Sequence, residues 1–538
     1  MRLPWTLCAL ALLAFPALAG CLDTSGPATG GGALPEARLV AVGGQPNQQA
    51  TQTPVARQAN ELSIAVNPTD PRNIIATGKD YTPDQAGSCV WDGIYASHDG
   101  GATWKDANLL GSPWHRMAQL QAGQVPDVPN DLSRFYCATD PVVEFGPDGT
   151  AYWAVMPYQC DPGSGGKTGS GAIPPGGFND WLWTCSSMYV LASSDGGDTW
   201  PTVSQVAFGP RLEHDKAWLA VSPANKVLLC WDQDAWANGA ARDDYTAVTQ
   251  GSPLPRFPDP PVAVPQQPVP AAIVCAASDD HAKTWTQPAT PGGSLPVATD
   301  TAFTPWVDFG SDGTAYMSAV DGSHVVFLSS QDGLSWTKPV AIANYTDPAA
   351  KIMNGFSTLN GSAFRASAFA VIAADHSGGP RDGSLYVTWM DTASGTGRTM
   401  LVSSHDRGTT WSKPTWIHDL SQDDQGQRGD QFMPAVSVGP DGTVDLSWFD
   451  RRVDPHDHLF DLYYAYSVDG GRTFSKNLRV SSQSSDEQYS HHQNGAIFLG
   501  DYMDIASSKG AAHPVWVDTR NHKADAFTAT IERPSANG

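Results

Sequence analysis

Positive charge is scarce in this chain: of 538 residues only 32 are Lys or Arg, against 55 Asp or Glu, and the formal net charge is −23. A surface this acidic repels phosphate backbones and anionic headgroups, which excludes nucleic acid and anionic lipid as main partners. It favours solubility, cations and a salty environment. Long apolar runs are absent beyond the N-terminus, so no membrane-crossing helix is expected there. No Cys-x-x-Cys pair occurs, which disfavours a thiolate metal site. Phosphate loop, nucleophile elbow and dinucleotide fingerprint are also absent, and with them the chemistries those motifs serve. Gly (52) and Pro (42) are plentiful instead, as expected of many short strands joined by tight turns.

Residues 1–20 carry Arg2 and an apolar run from Leu7 to Ala19, too short to span a bilayer permanently and proportioned as a secretory signal. Leu18-Ala19-Gly20-Cys21 resembles the lipobox of prokaryotic lipoproteins, which implies lipidation of Cys21 and anchoring at the prokaryotic cell surface. Residues 21–36, rich in Gly, Ser, Thr and Pro, then read as a flexible tether. Cys8 leaves with the signal and Cys21 takes lipid, so six Cys remain in an exported chain. Six allow fifteen connectivities. Cys230 and Cys275 fall at the same end of neighbouring strands, Cys160 and Cys185 bracket a Gly-rich excursion, and Cys89 and Cys137 are left, so three local disulfides are expected.

The most informative feature is a turn that recurs six times. Ser97 to Trp104, Ser193 to Trp200 and Ser404 to Trp411 read Ser-x-Asp-x-Gly-x-Thr-Trp in full. Ser467 to Phe474 changes only the Trp, Ser278 to Trp285 has Ala282 at the Gly position, and Ser329 to Trp336 has Gln331 for Asp and Ser335 for Thr. Each follows and precedes a strand-like run, so the turn joins a hairpin. Its Asp accepts backbone N–H groups, its Gly takes a conformation closed to larger residues, and its Trp buries a ring at the start of the next strand.

This turn resembles the Asp box of the sialidase-like (BNR repeat) β-propellers. The resemblance implies a structural role for the turns, on the face of the ring away from the active site. A strand pair precedes each turn, and a seventh pair, roughly Tyr502 to Val517, has none after it. The fold expected is therefore all-β: a single propeller of four-stranded antiparallel blades over residues 37–535, with seven blades favoured and six as the alternative. Ala37 to Val42 would supply the missing outer strand of the last blade.

Strand direction then places side chains at the mouth opposite the turns. First strands start there with Glu61, Asp140, Asp215, Asp300, Asp430 and Asp501; second strands end there with Asp80, Asp232, Asp321, Asp391, Asp450 and Asp518. Lys79, Lys216, Arg451, Arg452 and Arg520 accompany them. Asp at a strand end also caps turns, but converging like charges require a compensating cation or substrate. Glycoside hydrolysis uses paired carboxyl groups. The catalytic candidates are Glu61, Asp80, Asp450, Asp501, Tyr502 and Asp518; the substrate-binding candidates are Lys216, Arg451, Arg452 and Arg520.

The family resemblance implies a Tyr nucleophile, with Tyr502 in that place, and three Arg that clamp a substrate carboxylate. Sialidases also carry Arg-Ile-Pro at the start of the first blade, where this chain reads Asn60-Glu61-Leu62. Two functions follow as expectations. One is a cell-surface glycoside hydrolase acting on extracellular glycans through an acidic axial site. The other is a non-catalytic propeller that binds glycan, a surface protein or Ca2+, the hard cation that oxygen clusters suit.

Overall fold

The computed structural model describes residues 34–52, 58–81, 90–110, 132, 135–160, 185–210, 212–235, 272–287, 302–351, 357–366, 368–419, 429–493 and 496–534. The signal and tether, Cys21, Cys89 and Asp300 lie outside them.

Among the described residues seven antiparallel blade sheets follow one another along the chain, with two further two-stranded ribbons, Ala350–Lys351 with Ser357–Thr358 and His491–Gln493 with Ala496–Phe498. Blade 1 comprises Gln58–Val66, Ile74–Tyr81, Trp91–Ser97 and Lys105–Asn108. Blade 2 comprises Phe135–Phe145, Ala151–Cys160, Cys185–Ser193 and Thr202–Pro210. Blade 3 has Leu212–Val221, Val227–Ala235 and Ala272–Ser278, with one further bridge from Ala277 to Thr286. Blade 4 has Ala302–Phe309, Ala315–Asp321, His324–Ser330 and Val340–Asn344. Blade 5 has Val371–Ala374, Leu385–Asp391, Arg398–Ser404 and Thr415–Trp416. Blade 6 has Gln431–Val438, Val444–Asp450, Leu459–Ser467 and Leu478–Arg479.

Blade 7 is assembled from both ends of the chain. Asp504–Ser508, Ala511–Asp518 and Asp525–Thr528 are its first three strands. Gln48–Gln49 pairs with Phe527 and Thr528, and Arg38–Val40 pairs with Thr530–Glu532. The first strand of every blade packs on that of the next, and the first strand of blade 7 packs on that of blade 1. The ring is therefore a closed seven-bladed propeller, held by an outer strand from the N-terminal segment that removes an exposed edge.

Alternation explains why these segments become blades. In Val444–Asp450 and Ala511–Asp518 successive residues face opposite sides, and both sides are covered by neighbouring blades, so nearly every position is buried. Trp153, Trp231, Trp389, Trp448 and Trp516, each in a second strand, are among the largest fully buried side chains.

The recurrent turns share one hydrogen-bond pattern. Ser97 Oγ donates to Asp99 and accepts from the Gly101 N–H at 2.9 Å, while Asp99 accepts from the Thr103 N–H at 2.9 Å and hydroxyl at 2.6 Å. The turns at Asp195, Asp280, Asp406 and Asp469 repeat it. The fourth copy differs from the sequence alignment. Its frame begins at Ser330, with Asp332 bonded to Ser335 and Gly333 donating to Ser330 Oγ, one residue shorter than the rest. Gln331 lies outside the bonding frame because the missing residue moves Asp332 into the acceptor position.

Cys230 and Cys275 form a disulfide across blade 3, where they are cross-strand partners. Cys137 is also disulfide-bonded; its expected partner Cys89 lies outside the described residues. Cys160 ends the second strand of blade 2 and Cys185 starts the third; their side chains are not among those described.

Candidate functional site: a buried ion cluster on the axis

The first strands of five blades carry the same irregularity. Register slips between Asn60 and Ser63, Thr139 and Val142, Asp215 and Trp218, Phe303 and Trp306, and Phe432 and Ala435. Within each slip one non-glycine residue has positive φ: Glu61 51°, Asp140 52°, Lys216 48°, Thr304 61° and Met433 47°. A bulge re-aims its side chain and is costly for a residue with a Cβ. In blades 1, 2 and 3 the strained residue is charged, and all three meet.

Lys216 Nζ lies 3.1 Å from Glu61, 3.1 Å from Asp140, 2.8 Å from Asp501 and 3.8 Å from Asp215. Lys79 pairs with Glu61 and lies 2.8 Å from Asp140. Arg365 grips Asp501 through two nitrogens, Nε at 2.6 Å from Oδ1 and Nη2 on Oδ2. Glu61 and Asp140 thus share both ammonium groups. Glu61, Asp140 and Asp501 are buried, and Arg365 and Asp215 form the more open edge, with side chains 21% and 30% exposed. Phe498 covers the cluster, with Lys79 5.3 Å and Arg365 4.7 Å from its ring centroid, and its carbonyl accepts from Asn60 at 3.1 Å.

Protonation divides the acids. Burial, reinforced by Asp140, pushes the Glu61 carboxyl up to about 8. Burial would raise Asp140 as well, yet Lys216 and Lys79 outweigh it and hold the group well below the usual range. Asp501 is likewise held low, by Arg365 and Lys216 against burial. Burial and Asp140 push Asp92, on the third strand of blade 1, far upward. With Glu61 protonated, Asp140, Asp215 and Asp501 balance Lys79, Lys216 and Arg365. The compensation that converging carboxylates require comes from protein cations. Among the described residues no group of three or more His, Cys, Asp or Glu is placed to hold a metal ion.

Of the candidates, Glu61, Asp501 and Lys216 are in this cluster, with Asp140, Asp215 and Lys79 from the wider sets. Asp80 is buried at the end of its strand, near enough to Asp92 to raise it further. Tyr502 is adjacent but turned into an aromatic cage: its ring meets Trp218, Trp306 and Phe369 edgewise at 5.8, 6.0 and 6.2 Å. Its buried hydroxyl has no hydrogen-bond partner among the described residues, and burial raises its pKa strongly.

The remaining candidates sit elsewhere, in a repeated clasp. Asp450 Oδ2 accepts from Trp448 Nε1 at 3.0 Å and Arg452 Nη2 at 2.6 Å; Asp518 Oδ2 accepts from Trp516 Nε1 at 2.9 Å and Arg520 Nη2 at 2.6 Å. Arg452 then donates to Asn477 and Arg520 to Asn47, both at 3.0 Å, and each guanidinium lies 4.3 Å from an aromatic ring, Tyr463 or Phe527. Asn477 and Asn47 each stand just before the outermost strand, so the Trp-x-Asp-x-Arg unit ties second strand to blade edge. Arg451 is fully buried and donates to Glu487 at 2.5 Å and Ser362 at 2.7 Å. Asp430 accepts from the Gly397 N–H at 2.6 Å, Asp232 from Thr304 at 2.7 Å and Asp391 from Thr346 at 3.0 Å.

Sequence reasoning missed Arg365. It precedes the short first strand of blade 5 in an irregular stretch, where no strand pattern points to the axis.

A family model described as a BNR repeat-containing family member matches residues 379–497. Comparison with the curated proteins finds no match. Among solved structures, a protein of unknown function from Dyadobacter fermentans is 12% identical over 93% of this chain and 100% of its own, with a TM-score of 0.43. The NanB sialidase of Streptococcus pneumoniae is 12% identical over 91% of this chain and 71% of its own, with a TM-score of 0.40. An α-L-arabinofuranosidase of Fusarium graminearum is 13% identical over 90% and 97%, with a TM-score of 0.39.

Proposed function

We propose that this propeller is a glycoside hydrolase acting on an uncharged sugar of extracellular glycans, with Glu61 as acid and Asp501 as nucleophile. The observation that carries the reading is the opposed protonation of neighbouring axial carboxyl groups, the signature of an acid paired with an ionised partner. Glu61 and Asp501 are joined through one ammonium by contacts of 3.1 and 2.8 Å. Their oxygens are therefore no further apart than those two contacts combined, compatible with the roughly 5–5.5 Å separation of retaining enzymes.

In the first step a bond forms from Asp501 to the anomeric carbon, the glycosidic bond breaks, and the Glu61 proton passes to the leaving oxygen. In the second, the Glu61 carboxylate takes a proton from water, which displaces Asp501. Entry of a sugar requires Phe498 to move. Among the described residues Lys79, Lys216 and Arg365 are already occupied by the protein's own carboxylates, so these three offer a substrate carboxylate no vacant clamp; this favours neutral sugars over sialic acid. Tyr502 is caged by aromatic rings, and among the described residues its hydroxyl makes no hydrogen bond to a base.

The test is hydrolysis of a panel of fluorogenic neutral glycosides by wild type, Glu61→Gln and Asp501→Asn. Glu61→Gln should lower the rate by about 10²–10⁴-fold and Asp501→Asn should abolish it. The second reading, a non-catalytic glycan- or protein-binding propeller, is favoured by the complete burial and internal neutralisation of Glu61 and Asp140. Binding without turnover on every sugar would select it. Export and anchoring through Cys21 belong to the same proposal. Incorporation of labelled fatty acid into wild type but not Cys21→Ala, expressed in a bacterial host, checks it.

A further inference from the structure

Arg365 holds a two-point fork on Asp501, with Nε 2.6 Å from Oδ1 and Nη2 on Oδ2, yet no strand carries it. Residues 359–366, in the connection from blade 4 to blade 5, run in turn and irregular backbone. Their one bridge, parallel and isolated, joins Phe364 to Ile497. Hydrogen bonds weaken steeply with misalignment, so a fork of this kind needs its backbone fixed by something other than a ladder.

Side chains fix it instead, and Arg451 is their hub. Arg451 directly follows the second strand of blade 6, and its side chain is 0% exposed. Its Nη1 donates to Ser362 Oγ at 2.7 Å, and its Nη2 donates at 2.5 Å to Glu487, in the connection between blades 6 and 7. Glu487 closes the triangle by accepting from the Ala363 N–H at 3.0 Å. The same guanidinium lies 5.5 Å from the ring centroid of Phe364. Thr358 Oγ1 donates to the Phe364 carbonyl at 2.7 Å, and the Ala366 N–H donates to the Ser357 carbonyl at 2.9 Å. The three residues before Arg365 are thus held from one buried group, directly or through Glu487. Desolvation offsets most of what such a buried pair adds to stability; what it supplies is a fixed geometry.

We infer that Arg451 is a positioning residue for the axial site: it holds Ser362 to Phe364 in place so that Arg365, next in the chain, keeps its fork on Asp501. The effect on rate rests on the reading of Asp501 as nucleophile; the contacts themselves do not. Fully buried, Arg451 cannot touch a sugar, so it acts only through Arg365. Lys216 also holds Asp501, at 2.8 Å, so loss of Arg451 weakens the site without abolishing it.

Arg451→Lys in the full chain tests this, because one ammonium keeps the charge beside Glu487 but lacks the fork that spans both connections. Two quantities are measured: turnover of neutral fluorogenic glycosides, and exchange with water of the 15N-labelled Arg365 Nε–H, assigned by its loss in Arg365→Lys. In Arg451→Lys kcat should fall about tenfold to a hundredfold with KM little changed, and Nε–H exchange should quicken about tenfold. Ser362→Ala, a milder variant that removes one acceptor, should move both in the same direction by about threefold. Arg520→Met, which breaks the clasp of blade 7, should lower stability and leave both unchanged. In an Arg365→Lys background Arg451→Lys should add little further loss of rate, since the two act in series. Positioning by Arg451 is overturned by unchanged Nε–H exchange in folded Arg451→Lys, or in Ser362→Ala where the first variant does not fold. Equal quickening in Arg520→Met, or fully additive losses of rate in the double variant, would overturn it as well. If wild type turns over no sugar, the axial chemistry fails, while the Nε–H exchange still decides the positioning.

Discussion

Glu61 has a backbone φ of 51°, sits in a bulge, and keeps its proton where most carboxyls have lost theirs. Because its folded pKa is raised, its contribution to stability is full below the unfolded value near 4.5 and is lost as pH rises through about 8. The melting temperature of wild type should therefore carry a falling contribution from Glu61 between about pH 4.5 and pH 8 that levels off above it. Glu61→Gln, a fixed mimic of the neutral acid, should flatten that fall; an identical pH profile would contradict the assignment. Asp140 and Asp501 act with the opposite sign, since their depressed pKa values stabilise the fold above the unfolded range and that contribution disappears in acid. A second strained residue belongs to stability alone. Ala282 has φ 59° where the other turns place Gly. Ala282→Gly should raise stability by about 0.5–1 kcal/mol, read as a higher urea midpoint at unchanged m.

Among the elements, the second strands show what pattern reading reaches and where it stops. The run Trp448-Phe449-Asp450 and its copy at Trp516 are visible in sequence, and so is the end of the strand they mark. Their purpose is not visible, because the Trp two residues earlier and the Arg two residues later lie on the same side of the strand as the Asp and consume its oxygens. First strands were legible as the source of axial carboxylates, and Glu61, Asp140 and Asp501 do meet. Their grouping depends on bulges that have no single-residue signature. Arg365 lies in an irregular approach with no periodicity. The clasp makes its own prediction: Asp518 is fully buried against Arg520, so Asp518→Ala should cost about 3–5 kcal/mol by stranding the guanidinium. Denaturant unfolding measures it, and a loss below about 1 kcal/mol, as for an exposed pair, would show that the clasp carries little.

For the whole molecule, seven blades follow from seven strand pairs, and closure follows from the pairing of Arg38–Val40 and Gln48–Gln49 with the last blade. Removing residues 34–52 should open the edge of blade 7 and release Arg520 from Asn47, lowering the melting temperature and promoting association through the bare strand; size-exclusion chromatography and thermal unfolding report both. The recurrent turns set the geometry of the ring but lie away from the ion cluster, so the fold is legible from a motif that takes no part in the proposed chemistry. The most direct measurement is turnover of neutral fluorogenic glycosides by wild type, Glu61→Gln and Asp450→Ala, each confirmed folded. Activity in wild type that collapses in Glu61→Gln and persists in folded Asp450→Ala is the predicted result; equal activity in Glu61→Gln, or none in wild type on any sugar, would contradict an axial active site.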